Sequence, residues 1–173
     1  MAPVKSAGDD EKVDDGGVIV RPLEEADLPT VAAFECEIAR ISFPDEPITD
    51  PGYHQNRLAK TFQQRGHYCR VIERAGAVVG WVWIAGRRNM ATDEIYGDLR
   101  SYYVVPEMRR GPWALRLLRM ALEYCEKQGY PRVAGRTAAT NDAMRMVYRA
   151  MGFEERHVVY ELVMDRKPRS FGD

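Results

Sequence analysis

The residues most able to do chemistry are Arg109-Arg110-Gly111-Pro112-Trp113-Ala114. They follow an apolar run, Tyr102-Tyr103-Val104-Val105-Pro106, and open an amphipathic stretch. A strand that turns through glycine into a helix leaves several N–H groups without intrahelical partners, at the positive end of the helix dipole. Such a turn can hold phosphate. The expected donors are Gly111, Trp113, Ala114 and Leu115, with Arg110 as a further one. Pro112 has no N–H, so one donor is missing, although proline suits the first helical position. Arg109 and Arg110 add the positive charge a bound phosphate would want. The alternative is a plain strand-to-helix turn with solvated arginines.

A second group of residues could carry charge or protons. Asp93, Glu94 and Asp98 stand near the start of the strand that ends at Val105. Arg100 and Arg136 sit in otherwise apolar strand contexts, where a guanidinium needs a partner. That partner is either Asp98, in a fixed internal ion pair, or the carboxylate of a bound substrate. Asn141 stands where a helix begins and can cap it. Tyr148 lies on the apolar face of that helix, where the ring can pack while the hydroxyl looks into a cleft.

The elements that position these groups can be read from periodicity. Residues 1–16 are charged and glycine-containing and read as a disordered tail; 17–166 read as one domain and 167–173 as a short tail. Val18-Ile19-Val20 is a strand closed by Pro22. Asp27 can cap a helix with Pro29 in its first turn, and Leu28, Val31, Ala32, Ile38 and Ile41 follow the helical period. After a break at Phe43–Pro47, a second helix is expected over Tyr53–Gln64. Cys69–Glu73 and Ala77–Ala85 read as strands joined by a tight turn at Ala75-Gly76. Ile95–Val105 is a long fourth strand. From Pro112 to Gln128, the residues Ala114, Leu117, Leu118, Ala121, Leu122 and Cys125 form one stripe, and Gly129 is the expected stop. Arg132–Ala138 reads as a fifth strand and Asn141–Met151 as a helix. A last strand is expected where Val158, Tyr160, Leu162 and Met164 alternate.

This order, with Arg109 and Ala114 at the ends of the turn, Tyr148 seven residues after Asn141, and Gly152-Phe153 just beyond, resembles the GNAT N-acetyltransferase superfamily. The resemblance covers about residues 18 to 164, and the motif departs from the family at Pro112. It implies a mixed α/β (α+β) fold: a central mixed, mostly antiparallel sheet of six to seven strands flanked by about four helices. It implies acetyl-CoA as cosubstrate, its pyrophosphate on the Arg109–Leu115 turn and its pantetheine beside Tyr103, Val104 and Val105, with Asn141 in contact. It implies Tyr148 near the sulfur as general acid, and a strand-four carboxylate, Asp98 first and Glu94 second, as base. Arg100 and Arg136 would then bind substrate. The expected reaction is direct acetyl transfer to a primary amine, of a small molecule in the first instance and of a protein lysine or N-terminus in the second. A non-catalytic acyl-CoA-binding module is the rival, suggested by Pro112.

Composition narrows the field further. The chain has 173 residues and a formal net charge of −1, which favours neither nucleic acid nor an anionic membrane as partner. Cys36, Cys69 and Cys125 are widely spaced and read as reduced buried thiols, so a cytoplasmic setting is the default. His54, His67 and His157 form no ligand cluster, so no metal is expected. A homodimer is left open.

Overall fold

The computed structural model describes residues 17–162 apart from 63 and 65. The chain forms β1 (Val18–Pro22), α1 (Leu28–Ser42), α2 (Pro51–Ala59), β2 (His67–Arg74), β3 (Ala77–Arg88), β4 (Ile95–Val104), α3 (Trp113–Lys127), β5 (Val133–Gly135) and α4 (Asp142–Ala150). Short 3-10 turns at Glu25–Asp27 and Pro106–Met108 precede α1 and α3. The five strands lie in the order β1-β2-β3-β4-β5, antiparallel except for the parallel β4–β5 pair. This is the mixed α/β architecture expected, with four α-helices.

Each face of the sheet carries its own apolar layer. On one face the α3 stripe of Leu117, Leu118 and Ala121 is fully buried against Val82, Ile84 and Leu99. On the other, Val31 and Ala32 of α1 and Leu58 of α2 cover Val71, Trp81 and Trp83. Trp81 and Trp83 are therefore core residues. The β2–β3 hairpin turns at Ala75 (φ 50°) and Gly76 (φ 78°), both left-handed, between the directly paired Arg74 and Ala77. That backbone suits the right-handed twist of the strands it joins. α3 ends at Gly129 (φ 72°), the left-handed stop expected of it.

The structure departs from the sequence reading in several places. Asp27 does not cap α1: its carboxylate pairs with Arg21 at 2.6 Å and accepts the Glu24 N–H at 2.9 Å. α2 begins earlier, at Pro51, because Asp50 caps it by accepting the Gly52 N–H at 2.9 Å. β5 stops at Gly135, and the expected last strand is absent over residues 158–162; Met164 lies outside the described residues. Among the described residues the sheet thus has five strands rather than six or seven. Val158, Val159, Tyr160 and Leu162 have strand-forming side chains but are exposed and find no pairing edge. Cys36, Cys69 and Cys125 are free and buried. No helix among the described residues is long and apolar enough to cross a membrane.

Candidate active site

The site begins where two strands part. β4 and β5 pair only at Gly97–Val133, Asp98–Ala134 and Leu99–Gly135, and β4 then runs on alone to Val104. The cause is a bulge. Opposite β3, Ile84 pairs with Leu99 and Trp83 with Ser101, so Arg100 is the extra residue. An extra residue bends its strand and increases the local twist, which carries β4 away from β5. Beyond Leu99, β4 has one bare edge among the described residues. The Val105 N–H donates to the Val79 carbonyl at 2.9 Å on the β3 side. Backbone groups alternate in direction along a strand, so the Val104 N–H faces the bare edge while those of Tyr103 and Val105 face β3. Of the three residues expected to meet a pantetheine, only Val104 offers its N–H to the gap. Its carbonyl is already taken, by Arg109 Nε at 2.7 Å.

Tyr148, from α4, occupies the β5 side of this gap. Its hydroxyl donates to the Arg136 carbonyl at 3.4 Å, and its ring packs on Phe153 with centroids 4.9 Å apart. Burial pushes the phenol up to about 12, and the nearby Asp98 charge adds to the shift. Gly135 has no side chain where the ring lies: a Cβ there would fall 2.3 Å from the Tyr148 hydroxyl. Asn141 accepts the Met144 N–H at 3.1 Å and so caps α4, which fixes the helix that carries Tyr148.

The two carboxylates have separate fates. Asp98 is buried beside the last β4–β5 pairs, and its Oδ2 accepts from Arg87 at 3.3 Å and Arg100 at 3.5 Å. Arg100 also lies over the Trp83 ring, 5.2 Å from its centroid. Glu94 precedes β4 by one residue and pairs with Arg132 at 2.9 Å. At about 3.3 Å per residue, five residues separate it from Leu99 by roughly 15 Å of strand. The structure therefore brings Asp98 to the gap and leaves Glu94 behind. Arg136 is exposed and has no ion pair among the described residues.

The turn before α3 is anchored to the end of β4 by Arg109 and by the Tyr102 hydroxyl, which donates to the Ala114 carbonyl at 2.7 Å. Arg109 also lies over the Tyr103 ring at 5.3 Å. Gly111 does not offer its N–H, which is spent on the Met108 carbonyl at 3.3 Å. The donors left are Arg110 and the first-turn N–H groups of Trp113, Ala114 and Leu115. Gly111 still matters for access: a Cβ there would meet only the Met108 carbonyl, at 3.6 Å, so its outer side is open. A groove of about 450 Å³, lined by Pro112, Leu115, Arg116, Arg119, Met120 and Glu123, continues along α3. These donors, the open glycine face and the arginines fit a pyrophosphate-bearing ligand.

Pro112 holds the N-cap position at φ −70°, ψ −18°, without a side-chain cap. Pro112→Gly restores an N–H at the turn. A charge-assisted bond to phosphate contributes about 1.5 kcal/mol, so CoA binding is expected to tighten by about tenfold. The apo protein should melt slightly lower, because the unfolded chain regains entropy that proline denied it. Titration calorimetry with CoA and with dephosphorylated pantetheine checks this; an equal gain for pantetheine would remove the turn from phosphate binding.

Two participants escaped the sequence reading. Glu35 falls seven residues after Leu28 on the buried stripe of α1, where it pairs with Arg57 of α2 beside the Ser101 hydroxyl of β4; burial pushes its carboxyl above the usual range. The signal was a charge at a core position. Arg87 lies beyond the expected Ala77–Ala85 strand, but β3 extends through it to Arg88 and its guanidinium pairs with Asp98.

The chain resembles known proteins both in sequence and in fold. The Acetyltransferase (GNAT) family model matches residues 32–153. The chain is 29% identical over 149 residues to the uncharacterized N-acetyltransferase YjgM of Escherichia coli strain K12, covering 83% of this chain and 85% of that one. It is 26% identical over 164 residues to the aminoglycoside N(6')-acetyltransferase type 1 of Klebsiella aerogenes, covering 89% and 99%. Its fold superposes, at 18% identity and a TM-score of 0.65, on AAC(6')-Iy in complex with a CoA-S-monomethyl-acetylneamine bisubstrate analog, covering 84% of this chain and 98% of that one.

Proposed function

The chain belongs to the Acetyltransferase (GNAT) family and is an N-acetyltransferase, and from this premise we propose that it moves the acetyl group of acetyl-CoA onto a primary amine of a small molecule by direct attack in a ternary complex. The observation that carries the reading is the bare edge of β4 beyond Leu99, with the Val104 N–H on one side and the Tyr148 hydroxyl on the other. An extended pantetheine fits beside this edge as an added strand would, and its pyrophosphate meets Arg110, Trp113, Ala114 and Leu115. The relative named for aminoglycosides and the neighbour bound to a CoA bisubstrate analog support both halves of the pairing.

In this mechanism the acceptor arrives largely as ammonium and gives a proton to Asp98 or to a water beside it. The free amine adds to the thioester carbonyl. The Val104 N–H stabilises the oxyanion, a role that matters most where water is excluded. The C–S bond then breaks: Tyr148 gives its proton to the departing thiolate, and the second proton lost by the former amine nitrogen returns through water to Tyr148. The products are the N-acetylated amine and CoA. No cysteine suits the role of acyl carrier: burial pushes all three thiols up, Cys69 to about 12 and Cys125 to about 11, and Cys36, Cys69 and Cys125 are all buried. A cytoplasmic setting accords with buried free thiols.

Calorimetry with acetyl-CoA, followed by thiol release with a panel of amines, tests the proposal. Tight binding without thiol release from any amine would turn it into a non-catalytic binding module. Release with a lysine peptide alone would shift the acceptor to protein. Asp98→Asn is expected to lower turnover at pH 7 by about 10²-fold and to recover part of it as pH rises past the amine pKa of about 8 to about 10. Parallel pH–rate profiles for parent and variant would leave water alone as the proton acceptor.

A further inference from the structure

Resting on the transfer reading, we propose that the acceptor carries an anionic group beside its amine, a carboxylate in the simplest case, and that Arg100 and Arg87 receive it. Arg100 is the bulge residue at the mouth of the gap, where an inserted residue re-aims its side chain. Its guanidinium is held over Trp83, 5.2 Å from the ring centroid. Arg87 reaches the same place from β3. Both guanidiniums lean on one oxygen of one buried carboxylate, Asp98 Oδ2, at 3.3 and 3.5 Å. These contacts are longer than the 2.7–2.9 Å of a good charge-assisted bond.

Neighbouring arginines are matched differently. Arg88 has Asp93 at 2.7 Å and Arg132 has Glu94 at 2.9 Å, each with a carboxylate of its own. Glu155 also serves two arginines, but at 3.0 Å each and on the open surface. Among the described residues, two cations at the gap share one anion, which leaves an excess of positive charge there. Each guanidinium has five N–H donors, and each gives Asp98 only one Nη1 contact. The side chains are 48% and 35% exposed, so the remaining donors are open to a ligand. His67, which feels the Arg100 charge, has its pKa lowered by burial and by that charge, and an imidazole supplies no anion in either protonation state. A second carboxylate balances the charge, and its planar fork matches a guanidinium. A polycationic aminoglycoside would bring further ammonium groups against the same excess charge. The inferred acceptor class therefore differs from that named for the Klebsiella aerogenes relative.

The test uses the full chain, acetyl-CoA, and α-amino acids paired with their amides, plus an aminoglycoside, with rates expressed per free amine. The parent is expected to use the acids at least about tenfold better than the amides in kcat/KM. Arg100→Gln and Arg87→Gln should each lower the preference for acids over amides in kcat/KM by about tenfold, over and above any change in turnover common to both classes that comes through Asp98. Arg100→Lys should recover part of the loss, since it keeps the charge without the fork. Thermal melting close to the parent's would show that the variants fold. Amides or the aminoglycoside used as well as the acids would overturn this inference while leaving acetyl transfer standing, as would equal losses on acids and amides in the glutamine variants. Thiol release with no amine of any class would overturn the transfer reading and this inference with it.

Discussion

Tyr148→Phe is expected to slow the chemical step by about 10²-fold while leaving the fold and the affinity for acetyl-CoA in place. The ring keeps its packing on Phe153, and the bond lost, 3.4 Å long to the Arg136 carbonyl, contributes under about 1 kcal/mol to stability. The missing hydroxyl would act on catalysis through the proton it can give. A phenol whose pKa is raised stays protonated to higher pH, and burial pushes this one up to about 12. It is therefore in its donating form throughout the range where the amine is active. The parent's kcat should show no alkaline fall from Tyr148 below about pH 11, one unit under its pKa. Single-turnover acetyl transfer measured for both proteins checks the assignment. Unchanged turnover where chemistry limits the rate would remove Tyr148 from the mechanism.

Gly135→Ala should be as damaging by a different route. A Cβ at Gly135 would lie 2.3 Å from the Tyr148 hydroxyl oxygen, 2.6 Å from its Cζ and 2.7 Å from its Cε1. No real contact is that short, so either the ring leaves or β5 shifts. Phe153 packs on the ring with centroids 4.9 Å apart, and the ring is expected to give way into the gap beside β4. Overpacking of this kind costs about 1–3 kcal/mol of stability. Displacement of a reacting group by about 1 Å costs roughly 10²-fold in rate. The variant is expected to melt several degrees lower, to lose about 10²-fold in kcat, and, unlike Tyr148→Phe, to raise KM for acetyl-CoA as the ring enters its slot. Combining it with Tyr148→Phe should keep the KM defect, because the clashes with Cζ and Cε1 remain. Parent-like KM and melting temperature would remove the contact with Gly135 as what seats the Tyr148 ring.

What could be read without the structure was whatever depends on near neighbours in the chain. The α3 stripe and its Gly129 stop, the Asn141 cap, and the cores of β1 to β4 rest on spacings of a few residues, and each lies where the pattern put it. The pairing of Tyr148 with Asn141 and Gly152 was legible for the same reason, since one short helix carries all three. Alternation over Val158–Leu162 was equally visible, yet a strand needs a partner edge, and alternation alone cannot supply one. Asp98 and Glu94 looked alike as acids at the start of one strand; the pairing register then buried the first between two arginines and tied the second to Arg132. Arg87 entered the site because Ala85 pairs with Asp98. Gly111 lost its donor role to a turn bond with Met108. The gap itself exists because one residue, Arg100, is extra in the register between β3 and β4, so β4 bends away just where β5 stops. Periodicity is a property of a segment and survives in the bare sequence. Register is a relation between segments that meet only when the chain folds, and the open edge, the shared carboxylate and the seat of Tyr148 against Gly135 all depend on it.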